Sequence, residues 1–467
     1  MKSSKINELI RALEPAEVPQ VRQQLSAASG ENAEKLLRLF EIFLPVARES
    51  GVDPDKKETF KKCFPGKAYN DQLYRYLQSD LVARLEAFIA KRGFERDDRL
   101  YRQVLSRELA SRNAVKAYNT YRLRFEEEKE TAVVRDAEWF RYCYEAEFIH
   151  LAKATAGMKR DEHSNIGNVV SYLDRFYLAR KLQLCCEIFN VRNVLSVEHN
   201  VFLLEEILTH LRNKSYSDTP VILIYYRILM TLLESGKEEH FHQLRKLLTE
   251  HETEFDLKEL REMYQYVLNY CIKKINLGDI AWQKTLFETF RVTLANKVLL
   301  SEGYLSHWDY KNIVTISLRQ KEYDWAKKFI ERYRKELLPA GRENAYRYNL
   351  ANLSFNTGDY SRALKLLQEV EFSDVYYQLD AKSILLKTYF ELDDAEPFFY
   401  HASAFRIFLQ RNKLISDYQR TIYLNLIRYT SQLLRAAGAR KKIMEIRKKV
   451  EANRNVADLN WLLGKLI

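Results

Sequence analysis

Apolar positions along this chain recur at the 3.6-residue period of helices, not at the two-residue alternation of strands. Ile6, Leu9, Ile10 and Leu13 form one such stripe, which stops before Pro15. A second helix is expected from about Pro19. A third follows Asn32, with Leu36, Leu37, Phe40, Phe43, Leu44 and Ala47 on its apolar side. Asp53-Pro54 has the form of a cap followed by a first-turn proline, opening a helix that ends at Phe64-Pro65-Gly66. Asn70 caps a longer helix carrying Leu73, Leu77, Leu81, Leu85, Phe88 and Ile89, closed by Gly93. Residues 1–95 therefore read as one compact helical unit.

Residues 96–156 contain neither Pro nor Gly and read as two or three long helices. Their apolar faces are Tyr101, Val104, Leu105 and Leu109, then Phe140, Tyr144, Phe148 and Leu151. The charge run from Arg124 to Glu130 between them reads as a solvated helix turn or hairpin connection. The polar, Gly-flanked stretch 157–167 is a linker candidate. Residues 96–160 are thus taken as connecting helices and 161–430 as a repetitive region. Within that region, turns between paired helices fall at Gly236, Gly278, Lys321, Gly358 and Asp393, spaced by 42, 43, 37 and 35 residues. Residues 431–467 form a basic, capping end.

The unit AYRYNLANLSFNTGDYSRALKLLQEVEF resembles a tetratricopeptide repeat. Leu350 and Ala351 stand at the first-helix pair, Gly358-Asp359-Tyr360 at the turn, Ala363 at the small packing position and Leu367 at the large one. The preceding unit fits with Ile313, Tyr323, Ala326, Ile330 and Pro339. The following unit keeps Leu385 and Tyr389 but carries Phe398 where Ala is expected. A small residue where two helices cross lets their axes approach, and large ones fill the groove between hairpins. The resemblance implies an all-α fold of antiparallel helical hairpins stacked as a solenoid after an N-terminal helical unit. It also implies a protein- or peptide-binding scaffold whose first helices line a concave face. Lys311, Thr315 and Arg319 map to that face, as do Tyr348, Asn352 and Asn356, then Ser383 and Lys387. Asn352 stands where carboxylate-holding members of the family keep an Asn, although their full clamp is not present.

Composition agrees with an all-α chain, since 13 Gly and 8 Pro in 467 residues leave too few turn residues for sheets. The 30 Tyr and 24 Phe are expected mostly in the core. The net charge of +11 gathers at the C-terminal end, where Arg440, Lys441, Arg447 and Lys448 repeat at seven-residue spacing. They form a stripe opposite Ile443, Ile446 and Val450. This is the pattern of a solvated cap, and also of a surface for nucleic acid or another acidic partner. Tyr74, Arg75, Arg84 and Lys91, on a helix after a Pro-Gly turn, are a weaker candidate of the same kind.

Signals for chemistry are missing from the sequence. It holds no phosphate loop, dinucleotide fingerprint or zinc-protease motif. His240 and His242 sit two apart, about 200° round a helix, so they cannot share a metal. Cys185 and Cys186 lie on an apolar helix face and read as packing. The expectation is a non-enzymatic chain without cofactor or metal. Five cysteines in no spacing pattern suggest a reducing compartment. Charges break up the N-terminal apolar positions and every longer apolar run, so the expected location is cytoplasmic, away from membranes.

Overall fold

The computed structural model describes residues 4–27, 32–49, 52–156, 165–195, 201–370, 374–436 and 438–466. Most of the linker candidate lies outside them. Among the described residues are 23 α-helices and a single small hairpin, Leu300–Ser301 with Tyr304–Leu305, so the chain is all-α. The chain divides into two compact units, Met1–Ala132 with Ala137–Tyr177, and Val133–Asp136 with Leu178–Ile467.

The first unit contains α1 (Lys5–Ala12), α2 (Val18–Ser26), α3 (Ala33–Glu49), α4 (Lys56–Cys63), α5 (Asp71–Arg96), α6 (Asp98–Ser111), α7 (Val115–Thr131), α8 (Ala137–Ala156) and part of α9 (Ile166–Leu195). The stripes expected of α1, α3 and α5 converge on one core holding Ile10, Leu36, Phe40, Leu81 and Leu85, each fully buried. Asn70 caps α5 by accepting from the Leu73 amide at 3.0 Å. Two punctuation marks act differently from expectation. The cap of α4 is Asp55, which accepts from the Glu58 amide at 2.9 Å, while Asp53 accepts from Asn7 Nδ2 at 2.6 Å. A helix start thus became a tie between segments. Gly93 does not end α5, which runs on to Arg96, where Asp97 caps α6 directly.

The second unit continues with α10 (Leu204–Asn213), α11 (Pro220–Leu233), α12 (Glu238–His251), α13 (Leu257–Asn276) and α14 (Trp282–Ala295). Beyond the small hairpin come α15 (His307–Arg319), α16 (Tyr323–Tyr333), α17 (Arg342–Asn356), α18 (Tyr360–Gln368), α19 (Val375–Glu391) and α20 (Ala395–Arg411). The last three are α21 (Asp417–Ala436), α22 (Arg440–Ala452) and α23 (Leu459–Gly464). From α11 to α22 they pair as successive hairpins, each packed on the next. First helices also touch one another, α15 with α17, α17 with α19 and α19 with α21. Second helices meet chiefly the first helices beside them.

The repeat is written in the backbone of its turns. Gly278, Lys321, Gly358 and Asp393 all take positive φ, at 98°, 60°, 83° and 54°, and Gly438 joins them at 78°. Gly236, also read as a landmark, does not. At Lys321 the Glu322 amide donates to the Ser317 carbonyl at 2.9 Å and the Lys321 amide to Leu318 at 3.0 Å. Gly358 and Asp393 repeat this double bond, which closes a helix through a left-handed residue. Glycine takes that conformation at no steric cost, whereas a side chain pays roughly 1–2 kcal/mol. Lys321→Gly should therefore raise unfolding free energy by about 0.5–1 kcal/mol and Gly358→Ala should lower it by about 1 kcal/mol. Urea melts compare them, and a loss on Lys321→Gly would contradict the assignment.

Ala326, Ala351 and Ala363 are fully buried where hairpins cross. Phe398, placed where a small residue was expected, is equally buried and stacks edge-on against Phe390 and Phe399.

Candidate functional site: the first-helix face

The inner side of α15, α17 and α19 brings the candidate face residues together, but not as an open groove. Tyr348 is 2% exposed and packs edge-on against Tyr377 at 5.2 Å, so it belongs to the core of the face. Burial pushes its hydroxyl pKa well up. Lys311, Ser383 and Lys387 are buried as well. Thr315 and Asn352 are half-buried, while Arg319 and Asn356 are exposed. Asn356 Nδ2 donates to the Asn352 carbonyl and side-chain oxygens at 2.8 and 3.0 Å, so these two amides hold each other.

Two buried lysines each meet one carboxylate. Lys311 pairs with Asp380 of α19, which also accepts from the Tyr423 hydroxyl at 3.1 Å. The Lys311 ammonium lies over the rings of Trp308 and Tyr377, 5.1 and 4.8 Å from their centres. Lys387 Nζ sits 2.6 Å from Asp458 Oδ2, and Ser383 Oγ donates to the same oxygen at 3.1 Å. Asp458 does not come from the repeat helices. It belongs to the segment after α22, which turns back across this face. Crowding by the face would raise the Asp458 carboxyl pKa, but Lys387, Ser383 and the charge of Arg319 hold it below the ordinary range.

The returning segment is tied at several points. The Ala457 amide donates to the Ile422 carbonyl at 3.1 Å, and Asn425 Nδ2 to the Asn455 carbonyl at 2.9 Å. Glu391 accepts from Trp461 Nε1 and pairs with Lys465, both at 2.7 Å. Trp461 meets Phe390 edge-on at 5.5 Å. Leu462 and Leu466 are buried in the core of α20, α21 and α22. The sequence reading missed this return. A lone Asp in a basic stretch resembles a solvated charge, and no local pattern ties it to α19.

No protein-family model and no curated protein matches this sequence. The face is a cationic, hydrogen-bond-donating surface organised around carboxylates.

The other candidates resolve as follows. Arg440, Lys441, Arg447 and Lys448 are all exposed on α22, with Arg447 reaching Glu451 at 2.9 Å. Tyr74 is 1% exposed inside the first unit, and Arg75 and Arg84 pair with Asp71 and Asp80 one turn away on their own helix. His240 bonds Glu234 while His242 stacks on Trp282. Among the described residues no three His, Cys, Asp or Glu side chains are grouped to hold a metal. No described helix is long and apolar enough to cross a membrane. In the first unit a cleft of about 1070 Å³ lies along α6, α7 and α8, lined by Arg107, Tyr118, Tyr144, Phe148 and Lys153. Lys153 covers the Tyr118 ring at 3.9 Å and the Tyr118 hydroxyl meets His150 at 3.2 Å, so its polar groups engage one another.

Proposed function

We propose that this chain is a non-enzymatic scaffold of the tetratricopeptide kind that binds a protein or peptide partner on the concave, first-helix face of its repeats. The observation that carries this reading is the convergence of Ser383, Lys387 and the charge of Arg319 on one carboxylate supplied from outside the repeat helices. A solenoid that only packed its own core has no use for buried cations on its inner side, because each costs desolvation unless paired. The left-handed turns and the buried alanines at the helix crossings support the tetratricopeptide likeness. Five buried, unpaired cysteines support a reducing, cytoplasmic location.

The test is a peptide array probed with the purified chain, followed by anisotropy titration of the hits. Arg319→Glu and Lys387→Met should each weaken binding of the selected acidic peptides at least tenfold. Hits bound equally by both variants would sink the reading. A second reading rests on the exposure of Arg440, Lys441, Arg447 and Lys448, which suit nucleic acid or another acidic partner. Reversing those four to Glu should leave peptide binding intact. A labelled duplex that binds the native chain with steep salt dependence, and not the reversed one, would favour the second reading.

A further inference from the structure

Lys311 and Lys387 are alike in burial but not in how they are neutralised. Lys311 is matched by Asp380, a residue of the same face. Lys387, with 9% of its side chain exposed, has its ion-pair partner in the returning segment, at Asp458. Without that segment, which also carries Trp461, the Lys387 ammonium would stand over the Phe355 ring, uncovered and without its carboxylate. A carboxylate arriving from elsewhere could then take the vacated place and cover the ammonium again.

The residue that now supplies the carboxylate, Asp458, has φ of 50°, the left-handed region that Asp enters more readily than most side chains. Its own side chain keeps 40% of its surface exposed, although both its partners are buried. The carboxylate thus meets Lys387 and Ser383 through Oδ2 at the edge of the covered face, the side from which a partner would arrive. Leu462 and Leu466, four and eight residues further on, are anchored separately in the core of α20 to α22. Displacing Asp458 works against Val456 and Ala457, which are buried in the same core, while the two leucines stay in place.

We propose that residues 453–461 are an intramolecular occupant of the binding face, with Asp458 standing in for an acidic residue of the partner. An extended acidic segment of a partner protein then binds by displacing Asp458 from Ser383 and Lys387. This rests on the scaffold reading above and adds its regulation: the free chain is self-occupied. Lysine, serine and arginine donors select a carboxylate. The apolar floor of Phe355, Phe390 and Tyr360 selects large side chains beside it, as Trp461 now provides.

The probe is a fluorescein-labelled synthetic peptide of residues 453–466, the one ligand whose fit the structure displays. Full-length Asp458→Asn keeps the shape of the segment and tolerates the left-handed backbone. It should bind this peptide at least tenfold more tightly than the native chain does, because its own occupant has lost its charge. Adding Lys387→Met should abolish the gain, and a peptide carrying Asn at the Asp458 position should bind both chains weakly. Equal, Lys387-dependent binding to native and Asp458→Asn chains would overturn self-occupancy while leaving the scaffold standing. No Lys387-dependent binding by either chain would overturn both. The native chain supplies an independent measurement. Saturating peptide should speed hydrogen exchange at the Ala457 amide, now bonded to Ile422, and unchanged protection there would overturn the proposal.

Discussion

Replacing Glu147 by Ala destabilises the first unit by about 3–5 kcal/mol, the range for breaking a buried ion pair by removing one partner. Glu147 is fully buried on α8, and Lys129 and Arg122 of α7 reach its two oxygens, each at 2.8 Å. Asn165 Nδ2 adds bonds to its carbonyl and carboxylate at 2.9 and 3.1 Å. Without the Glu147 carboxylate, two cations with 17% and 15% of their side chains exposed share the more exposed carboxylate of Glu126, which pairs with both and offsets part of the loss. Burial alone would raise the Glu147 pKa, but the bonds from Lys129, Arg122 and Asn165 bring it below the ordinary value. A depressed folded pKa means stability that is present above the ordinary carboxylate range and is lost as pH falls through the folded value. Urea unfolding at neutral pH and again in acid measures both effects. Near-equal stability of the variant and the native chain at neutral pH would show that the pair is structurally idle.

Ending the chain after Val456 is the second large effect. It strips Leu462 and Leu466, at 0% and 2% exposure, from the core of α20 to α22. Each fully buried leucine is worth about 2–5 kcal/mol on truncation to Ala. The shortened protein should melt markedly lower or self-associate through the uncovered apolar end. Reversing Arg440, Lys441, Arg447 and Lys448 to Glu should cost little by comparison, because exposed charges contribute about 0–1 kcal/mol per pair. Thermal melts of the two variants side by side decide it. A truncated chain as stable as the native one would make the segment a tethered tail and remove the basis for self-occupancy.

The all-α architecture was legible because helical periodicity and turn scarcity are local properties of sequence. Ala326, Ala351 and Ala363 were legible for a related reason, as small residues at fixed offsets from a turn. The middle of the first unit was less so. Tyr101, Val104 and Phe148 were read as core but are 47%, 38% and 51% exposed, while Gln103 and Ser106 of α6 turn inward. Gln103 is satisfied there by Glu145 of α8, a partner 42 residues away that no window of sequence reveals. The charge run from Arg124 to Glu130, read as a solvated helix turn or a hairpin connection, is helical and mostly at the surface of α7, but its Lys129 turns in to Glu147. The first-helix face shows the limit most clearly. The tetratricopeptide resemblance placed Lys311, Ser383 and Lys387 on the first-helix face, but the carboxylates that meet them lie some 70 residues downstream.

Trp461 gives the molecule its own optical gauge. Its indole N–H is bonded to Glu391 and its ring lies edge-on to Phe390, half-buried beside the Lys387 ammonium. The other four tryptophans, Trp139, Trp282, Trp308 and Trp325, sit in helices outside the returning segment. With those four changed to Phe, the emission of one indole would follow the segment as it passes between protein and water. The open and occupied populations could then be counted in solution without attaching a label.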